Sequence, residues 1–163
     1  MTRRVRAAFL AGMLPTLLGA GHASGEDVAR ESAVFLAVFQ QQIQEHLDAT
    51  ERARGTVICF AFDPGGAPQE PSRELMKHLA GEPQARRAGE CDPRRKGAVE
   101  ATTLRPAIIV TAGPIEWIAA DEAWVTVRFF RSVHRSALRR YRVVKELQSW
   151  VSMGQILLDG PVV

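Results

Sequence analysis

The hydrophobic pattern of the chain begins with helical periodicity. Across residues 26–52, apolar residues recur every three or four positions, a spacing that is typical of an amphipathic helix. Phe35, Phe39 and Ile43 lie on one face of that predicted helix. Residues 56–62, with the sequence TVICFAF, are rich in β-branched and aromatic side chains and predict a buried strand. We therefore expect a long N-terminal helix followed by a strand of the core.

The rest of the chain predicts one short helix and then a run of strands. Ser72 is a typical N-cap residue, and Gly81 is typical of the position just after a helix end. A second, short helix is therefore expected over residues 73–80. From residue 106 onward the pattern changes to period two, in four strand-like runs with short breaks between them.

The breaks between these runs indicate how the strands connect. Residues 120–121 and 148–149 are short enough to be hairpin turns, which make neighbouring strands antiparallel. Gly113 and Pro114 interrupt the first run and predict a bulge, because proline cannot donate to a sheet ladder. The predicted fold class is α+β, with the long N-terminal helix packed on a curved, mostly antiparallel β-meander and one short second helix.

The first 25 residues have the pattern of a secretory signal peptide. Three arginines precede an apolar run over residues 7–18, and small residues follow that run. We expect residues 1–25 to be removed and residues 26–163 to form a single domain. Cleavage after Ala23 and cleavage after Gly25 both satisfy the preference for small residues before the cut. The expected location is the periplasm or the outside of the cell.

Neither the leader nor the rest of the chain predicts a membrane span. The apolar run of the leader is short and contains Pro15, whereas a span needs about 20 apolar residues. No later stretch approaches that length. We therefore expect no membrane span in the mature chain.

The net charge changes when the leader is removed. The whole chain has 21 basic and 18 acidic residues, and the first 25 residues contain three arginines and no acid. The mature chain therefore has 18 residues of each sign, which gives no general attraction to nucleic acid. A nucleic-acid partner is not expected.

Two cysteines, Cys59 and Cys91, remain in the predicted mature chain. An even number of cysteines in an oxidising compartment favours a disulfide bond. The alternative is a pair of unrelated cysteines, one in a buried strand and one in a loop, because sequence does not show spatial proximity. A Cys59–Cys91 bridge is the prediction.

Four segments together resemble a known family. The strand VICFAF, the helix PSRELMKHLAG, the segment RAGECD and the stretch YRVVKE with a later tryptophan are similar to those of small exported bacterial proteins that have no assigned activity. The resemblance implies a common fold and adds no catalytic residue. The order of one helix and a meander is also similar to the cystatin and nuclear-transport-factor-2-like architectures, an analogy of shape that does not define a function.

His46 and Gln42 are the candidate ligand-binding residues. Both lie on the apolar face of the first helix, one turn apart, so they are predicted to line a pocket between helix and sheet. The alternative for His46 is a structural histidine near the end of the helix, at the edge of the core. No pair of histidines or cysteines has metal-ligand spacing, so neither a metal nor a cofactor is predicted.

The arginines of the second and third strand-like runs are candidates for binding a partner. Arg128, Arg140 and Arg142 share one face of the sheet if the two strands pair, and they would bind an anionic envelope component or an acidic partner. The alternative is a solvated strand face whose charge is balanced by acids of the first helix.

The function expected from these features is ligand or partner binding by a non-enzymatic protein of the bacterial envelope. One alternative is a small enzyme that uses His46 in a pocket between helix and sheet. The other is an inhibitor of an exported hydrolase, which rests on the cystatin-like shape alone.

Overall fold

A computed structural model describes residues 25–94 and 96–159 of the chain. Residues 1–24 of the predicted signal peptide, and with them the predicted cleavage site after Ala23, lie outside the described residues. The described helices are α1 (Gly25–His46), α2 (Ala49–Ala53) and α3 (Arg73–His78). The strands are β1 (Val57–Phe62), β2 (Ala85–Arg87), β3 (Cys91–Asp92), β4 (Val99–Glu100), β5 (Ala107–Ala119), β6 (Glu122–Ser132), β7 (Arg135–Glu146) and β8 (Ser149–Asp159). The predicted α+β class is confirmed. No helix among these is long and apolar enough to cross a membrane.

Six of the strands form one open sheet in the order β2-β1-β5-β6-β7-β8. Strands β5 to β8 are antiparallel, as the hairpin breaks predicted. The turn between β7 and β8 lies one residue earlier than predicted, because β8 begins at Ser149. On the other side, β1 pairs in parallel with both β2 and β5. The sequence pattern did not predict these parallel pairings.

The interruption predicted in β5 is present. The pairing of β5 with β6 shifts register between Ala112 and Ile115, across Gly113 and Pro114. A Cβ atom at residue 113 would lie 3.2 Å from the backbone oxygen of Thr126, so glycine permits the close approach of the two strands there.

The first helix ends earlier than predicted, at His46 and not at residue 52. The side chain of Asp48 accepts a hydrogen bond from the Glu51 amide at 2.8 Å and starts α2 as an N-cap. This break places the Glu51 side chain, which is 10% exposed, against Arg131 of β6. The predicted cap of α3 is confirmed, since the Ser72 hydroxyl accepts a hydrogen bond from the Leu75 amide.

The main core lies between α1 and one face of the sheet, which we call the inner face. Phe39 of α1 stacks on Phe60 of β1 with ring centres 4.3 Å apart. Alternate residues of β6 and β7 complete the layer, including Val125, Val127 and Tyr141. The period-two pattern of β6 predicted this inner face correctly.

The opposite, outer face is covered in part by the segment that contains β3 and β4. A disulfide bond joins Cys59 of β1 to Cys91 of β3, with their Cα atoms 6.4 Å apart. These cysteines pack with Val57, Ala98 and Ala107 in a second, smaller core. The disulfide predicted from cysteine number and compartment is present in the structure.

Candidate functional site

A pocket at the C-terminal end of α1 collects polar side chains from β6 and β7. It has a volume of about 300 Å³ and is called here the His46 pocket. Its lining residues are His46, Ile108, Phe129, Arg131, Arg135, Ser136 and Arg139. Three of these side chains are guanidinium groups and none is acidic, a composition that suits an anion.

His46 lies between α1 and the sheet, with its ring against the ring of Phe129 at 4.7 Å between centres. Its Nε2 atom is buried and has no hydrogen-bond partner within the described chain. Burial lowers the pKa of His46, and the charges of Arg139 and Arg131 lower it further, against the opposing effect of Glu45. The imidazole is therefore neutral near pH 7, and its Nε2 atom is a buried polar group without a partner in the described chain.

Glu45 fixes one arginine of the pocket. Its Oε2 atom accepts a hydrogen bond from Nη1 of Arg139 at 2.9 Å and another from the Tyr141 hydroxyl at 2.8 Å. The Arg139 guanidinium also lies 5.0 Å from the ring centre of Phe129, on the pocket wall. Arg139 is thus held in place, with its charge balanced by Glu45.

Glu51 of α2 fixes a second arginine. Its Oε1 atom accepts a hydrogen bond from Nη2 of Arg131 at 2.5 Å, and its Oε2 atom accepts one from the Thr56 hydroxyl at 2.7 Å. Hydrogen bonding from Arg131 lowers the pKa of Glu51 and outweighs the opposite effect of burial. The break after His46 therefore has a consequence for the pocket, because it places the carboxylate that holds Arg131.

Arg135 differs from these two arginines because its charge is not balanced. It begins β7, is exposed and lines the pocket. Among residues 25–94 and 96–159, no carboxylate and no hydrogen-bonding group pairs with its guanidinium. The pocket therefore combines an uncompensated positive charge with a free imidazole nitrogen.

The structure does not bring Gln42 into the His46 pocket. Gln42 is fully buried in the core, beside Tyr141. Burial raises the pKa of the Tyr141 hydroxyl to about 12, and the neighbouring Gln42 amide opposes that rise. Neither amide atom of Gln42, however, has a partner in hydrogen-bonding geometry in the described part of the chain.

The three arginines proposed from the sequence share the outer face of the sheet. Arg140 pairs with Glu116, and Arg142 donates to both oxygens of Glu122 at 2.8 and 3.1 Å. Arg128 has no such partner among the described residues. The balancing acids belong to β5 and β6, and not to the first helix as the alternative supposed.

Sequence reasoning missed the arginines that line the His46 pocket, because it treated the arginines of β6 and β7 as one cluster. Strand alternation contains the signal that separates them. Val127 and Phe129 mark the inner face of β6, and continuing the period of two places Arg131 there as well. Tyr141 marks the inner face of β7, and the same period of two places Arg139 on that face.

A second cavity of about 400 Å³ lies between α1 and the strand ends near the bulge of β5. Phe35, Phe62 and Leu75 line it, with Glu31 at its rim. It contains no cation, so it is separate in chemistry from the His46 pocket. Within residues 25–94 and 96–159, no group of three His, Cys, Asp or Glu side chains is placed to hold a metal ion.

Comparison with known proteins gives no match. A scan against protein-family models finds no matching family, and searches of curated proteins and of solved structures find no similar chain. The resemblance to small exported bacterial proteins therefore stays a prediction, and function is argued from the geometry of the His46 pocket.

Proposed function

We propose that this protein is a non-enzymatic binding domain of the bacterial envelope that takes a small anionic ligand in the His46 pocket. The observation that carries the proposal is that the unpaired guanidinium of Arg135 lines the same pocket as His46, whose buried Nε2 atom has no hydrogen-bond partner in the described chain. A carboxylate, sulfate or phosphate group accepts hydrogen bonds from both kinds of group.

The rest of the pocket supports recognition of an anion. Arg131 and Arg139 are each held by a carboxylate that is at most one-fifth exposed. Fixed donors lose little conformational entropy when a ligand binds. The pocket is therefore organised before the ligand arrives.

Location in the envelope is supported by two features. The leader has the signal-peptide pattern, and the Cys59–Cys91 bridge is of a kind that persists in oxidising compartments. Cell fractionation with N-terminal sequencing tests this part, and we expect a mature protein that begins at residue 24 or 26. A full-length, uncleaved chain in the cytoplasm would contradict it.

Sulfate titration measured by calorimetry tests the anion site. We expect Arg135→Gln to weaken sulfate binding about tenfold, because it removes a charge-assisted hydrogen bond. Arg128→Gln is the matched control, since it makes the same charge change at an unpaired arginine of the outer face. Equal effects of the two substitutions would show that only net charge matters and would contradict the site.

The pH dependence of sulfate binding tests the role of His46. The free pocket has a neutral imidazole, and the charges that act on it are those of Glu45, Arg131 and Arg139, while Arg135 also lines the pocket. A bound anion favours the imidazolium and raises the pKa of His46, so affinity increases as the pH falls from about 8 to about 5.5. His46→Gln should abolish this increase. A pH-independent affinity in the unsubstituted protein would rule out contact with His46.

One observation favours an enzyme as the second candidate, since Ser136 lines the same pocket as His46. A histidine that activates a serine hydroxyl makes it a nucleophile toward acyl or phosphoryl groups. A fluorophosphonate probe tests this role. Labelling that disappears in both Ser136→Ala and His46→Gln would support the enzyme, whereas no labelling would leave binding as the function.

A further inference from the structure

A larger cavity adjoins the His46 pocket and shares two of its arginines. It has a volume of about 540 Å³ and lies between the end of β6 and the segment around β3 and β4. Arg131 and Arg135 line both cavities, while Arg94, Lys96 and Leu104 line the far side. We call this cavity the loop cleft. The two cavities therefore meet at the arginine whose charge is unbalanced.

Backbone contacts hold the wall of the loop cleft against the sheet. The Ala98 amide donates to the carbonyl oxygen of Arg131 at 2.9 Å, and the Ala107 amide donates to the carbonyl oxygen of Ala98 at the same distance. Gly97 has a φ angle of 150°, and a Cβ atom there would lie 3.2 Å from the Arg131 oxygen. Glycine thus allows the segment to approach β6 closely and fixes where Lys96 lies.

The charges that line the loop cleft are all positive. Arg131 is paired with Glu51, and Arg94 lies 3.5 Å from Asp92. Lys96 is exposed and has no partner within residues 25–94 and 96–159. Two cations without a partner in the described chain, Lys96 and Arg135, therefore line cavities that share a wall.

We propose that the ligand carries two anionic groups of the phosphate type, one bound by His46 and Arg135 and the other by Lys96 and Arg94. This inference rests on the proposed anion site in the His46 pocket. A single small anion compensates Arg135 and leaves Lys96 without a partner, whereas a ligand that extends into the loop cleft compensates both. A soluble oligophosphate and a lipid head group with two phosphates share this chemistry.

The test compares sulfate with tripolyphosphate on the intact, oxidised protein by calorimetry. We expect tripolyphosphate to bind at least about tenfold more tightly than sulfate. Lys96→Gln should remove most of this preference, because it deletes the cation of the second subsite. Lys145→Gln makes the same charge change at the far end of β7 and should keep the preference.

Gly97→Ala gives a second variant that keeps every charge. A Cβ atom at residue 97 pushes the segment away from β6, so the preference for tripolyphosphate should fall in this variant too. Co-sedimentation with cardiolipin-containing phosphatidylcholine vesicles, competed by tripolyphosphate and lost in Lys96→Gln, would assign the lipid source. Tight binding of tripolyphosphate without co-sedimentation would assign the soluble one.

Different results overturn the two-group ligand and the anion site. If sulfate binds as expected but Lys96→Gln and Lys145→Gln reduce tripolyphosphate binding equally, the two-group ligand is overturned and the anion site stands. If sulfate does not bind to the unsubstituted protein, or binds without dependence on Arg135, the anion site itself is overturned.

Discussion

Gln42 is a polar side chain whose burial in the interior of this fold lowers the free energy of unfolding. It is fully buried between α1 and the inner face of the sheet, and neither of its amide atoms has a hydrogen-bond partner in the described chain. Burying an amide without compensation costs about 1–3 kcal/mol on the scale of protein mutations. His46, one turn later, carries a smaller cost, because only its Nε2 atom is unpartnered and buried.

Gln42→Leu is therefore expected to stabilise the protein. The substitution replaces an unpaired amide with an apolar side chain of similar volume, and the free energy of unfolding should rise by about 1–2 kcal/mol. Urea unfolding followed by circular dichroism measures this change. Gln40→Leu on the exposed side of α1 is the control and should change stability by less than about 0.5 kcal/mol.

A loss of stability in Gln42→Leu would mean that the amide has a partner, with the neighbouring Tyr141 hydroxyl as the candidate. Gln42→Leu combined with Tyr141→Phe would then show coupling between the two substitutions.

At the scale of elements, the turn after β4 depends on one buried carboxylate. Glu100 is 4% exposed and accepts hydrogen bonds from Arg86 of β2 and from Arg105 and Thr103 of its own turn. The turn also contains Leu104, whose φ angle of 60° is in the left-handed region. Glu100 thus connects the edge of the main sheet to the wall of the loop cleft.

The stability of this turn should depend on pH. Burial alone would raise the pKa of Glu100, but hydrogen bonds from Thr103, Arg86 and Arg105 outweigh it and bring the pKa to about 2. A carboxyl whose pKa is lower in the folded chain stabilises fully above its unfolded pKa of 4.5 and loses that contribution as the pH falls toward 2.

Glu100→Gln should remove part of this acid sensitivity. The variant is expected to lose about 2–3 kcal/mol at pH 7, since two arginines lose their carboxylate partner. The difference from the unsubstituted protein should shrink between pH 4.5 and about pH 2. Unfolding at a series of pH values measures this difference, and a constant difference would show that Glu100 is not the titrating group.

Local sequence patterns predicted the elements whose causes are local. Helical spacing gave most of α1, alternation gave β6, and Ser72 gave the start of α3. The break at Asp48 was missed although Asp48 and Glu51 have the spacing of an N-cap and a residue of the first helical turn. The parallel pairing of β1 with β5 joins residues about 50 positions apart, and a continuous apolar run shows burial but does not name its neighbours.

The candidate site was predicted in part for the same reason. His46 stood out because it is a polar residue on an apolar helical face. Arg131, Arg135 and Arg139 line the same pocket as His46. Their position there depends on which face of the sheet α1 covers, and tertiary packing decides that. Strand alternation would have assigned Arg131 and Arg139 to the inner face once that face was known.

At the scale of the whole molecule, the two faces of the sheet are stabilised differently. The inner face packs against α1 over a continuous core, whereas the outer face has a small core of five residues around one disulfide. That disulfide links residues 32 positions apart, Cys59 of β1 and Cys91 of β3. It also connects the central sheet to the segment that carries Arg94 and Lys96.

Reduction of the disulfide is therefore expected to have a global and a local effect. Opening a loop of this length should lower the free energy of unfolding by about 3–4 kcal/mol on the chain-entropy model. Urea unfolding with and without reductant measures the loss. The double variant Cys59→Ala, Cys91→Ala serves as the control, because its unfolding midpoint should not respond to reductant.

The local effect distinguishes the two cavities. Under conditions where the reduced protein is still folded, the segment around β3 should lose its covalent tie to β1, while His46 and Arg135 keep their places on α1 and β7. Sulfate affinity should then change little, and the preference for tripolyphosphate should fall because Lys96 is less well positioned. An equal fall in affinity for both anions would show that the disulfide supports the whole pocket and that the two cavities respond as one unit.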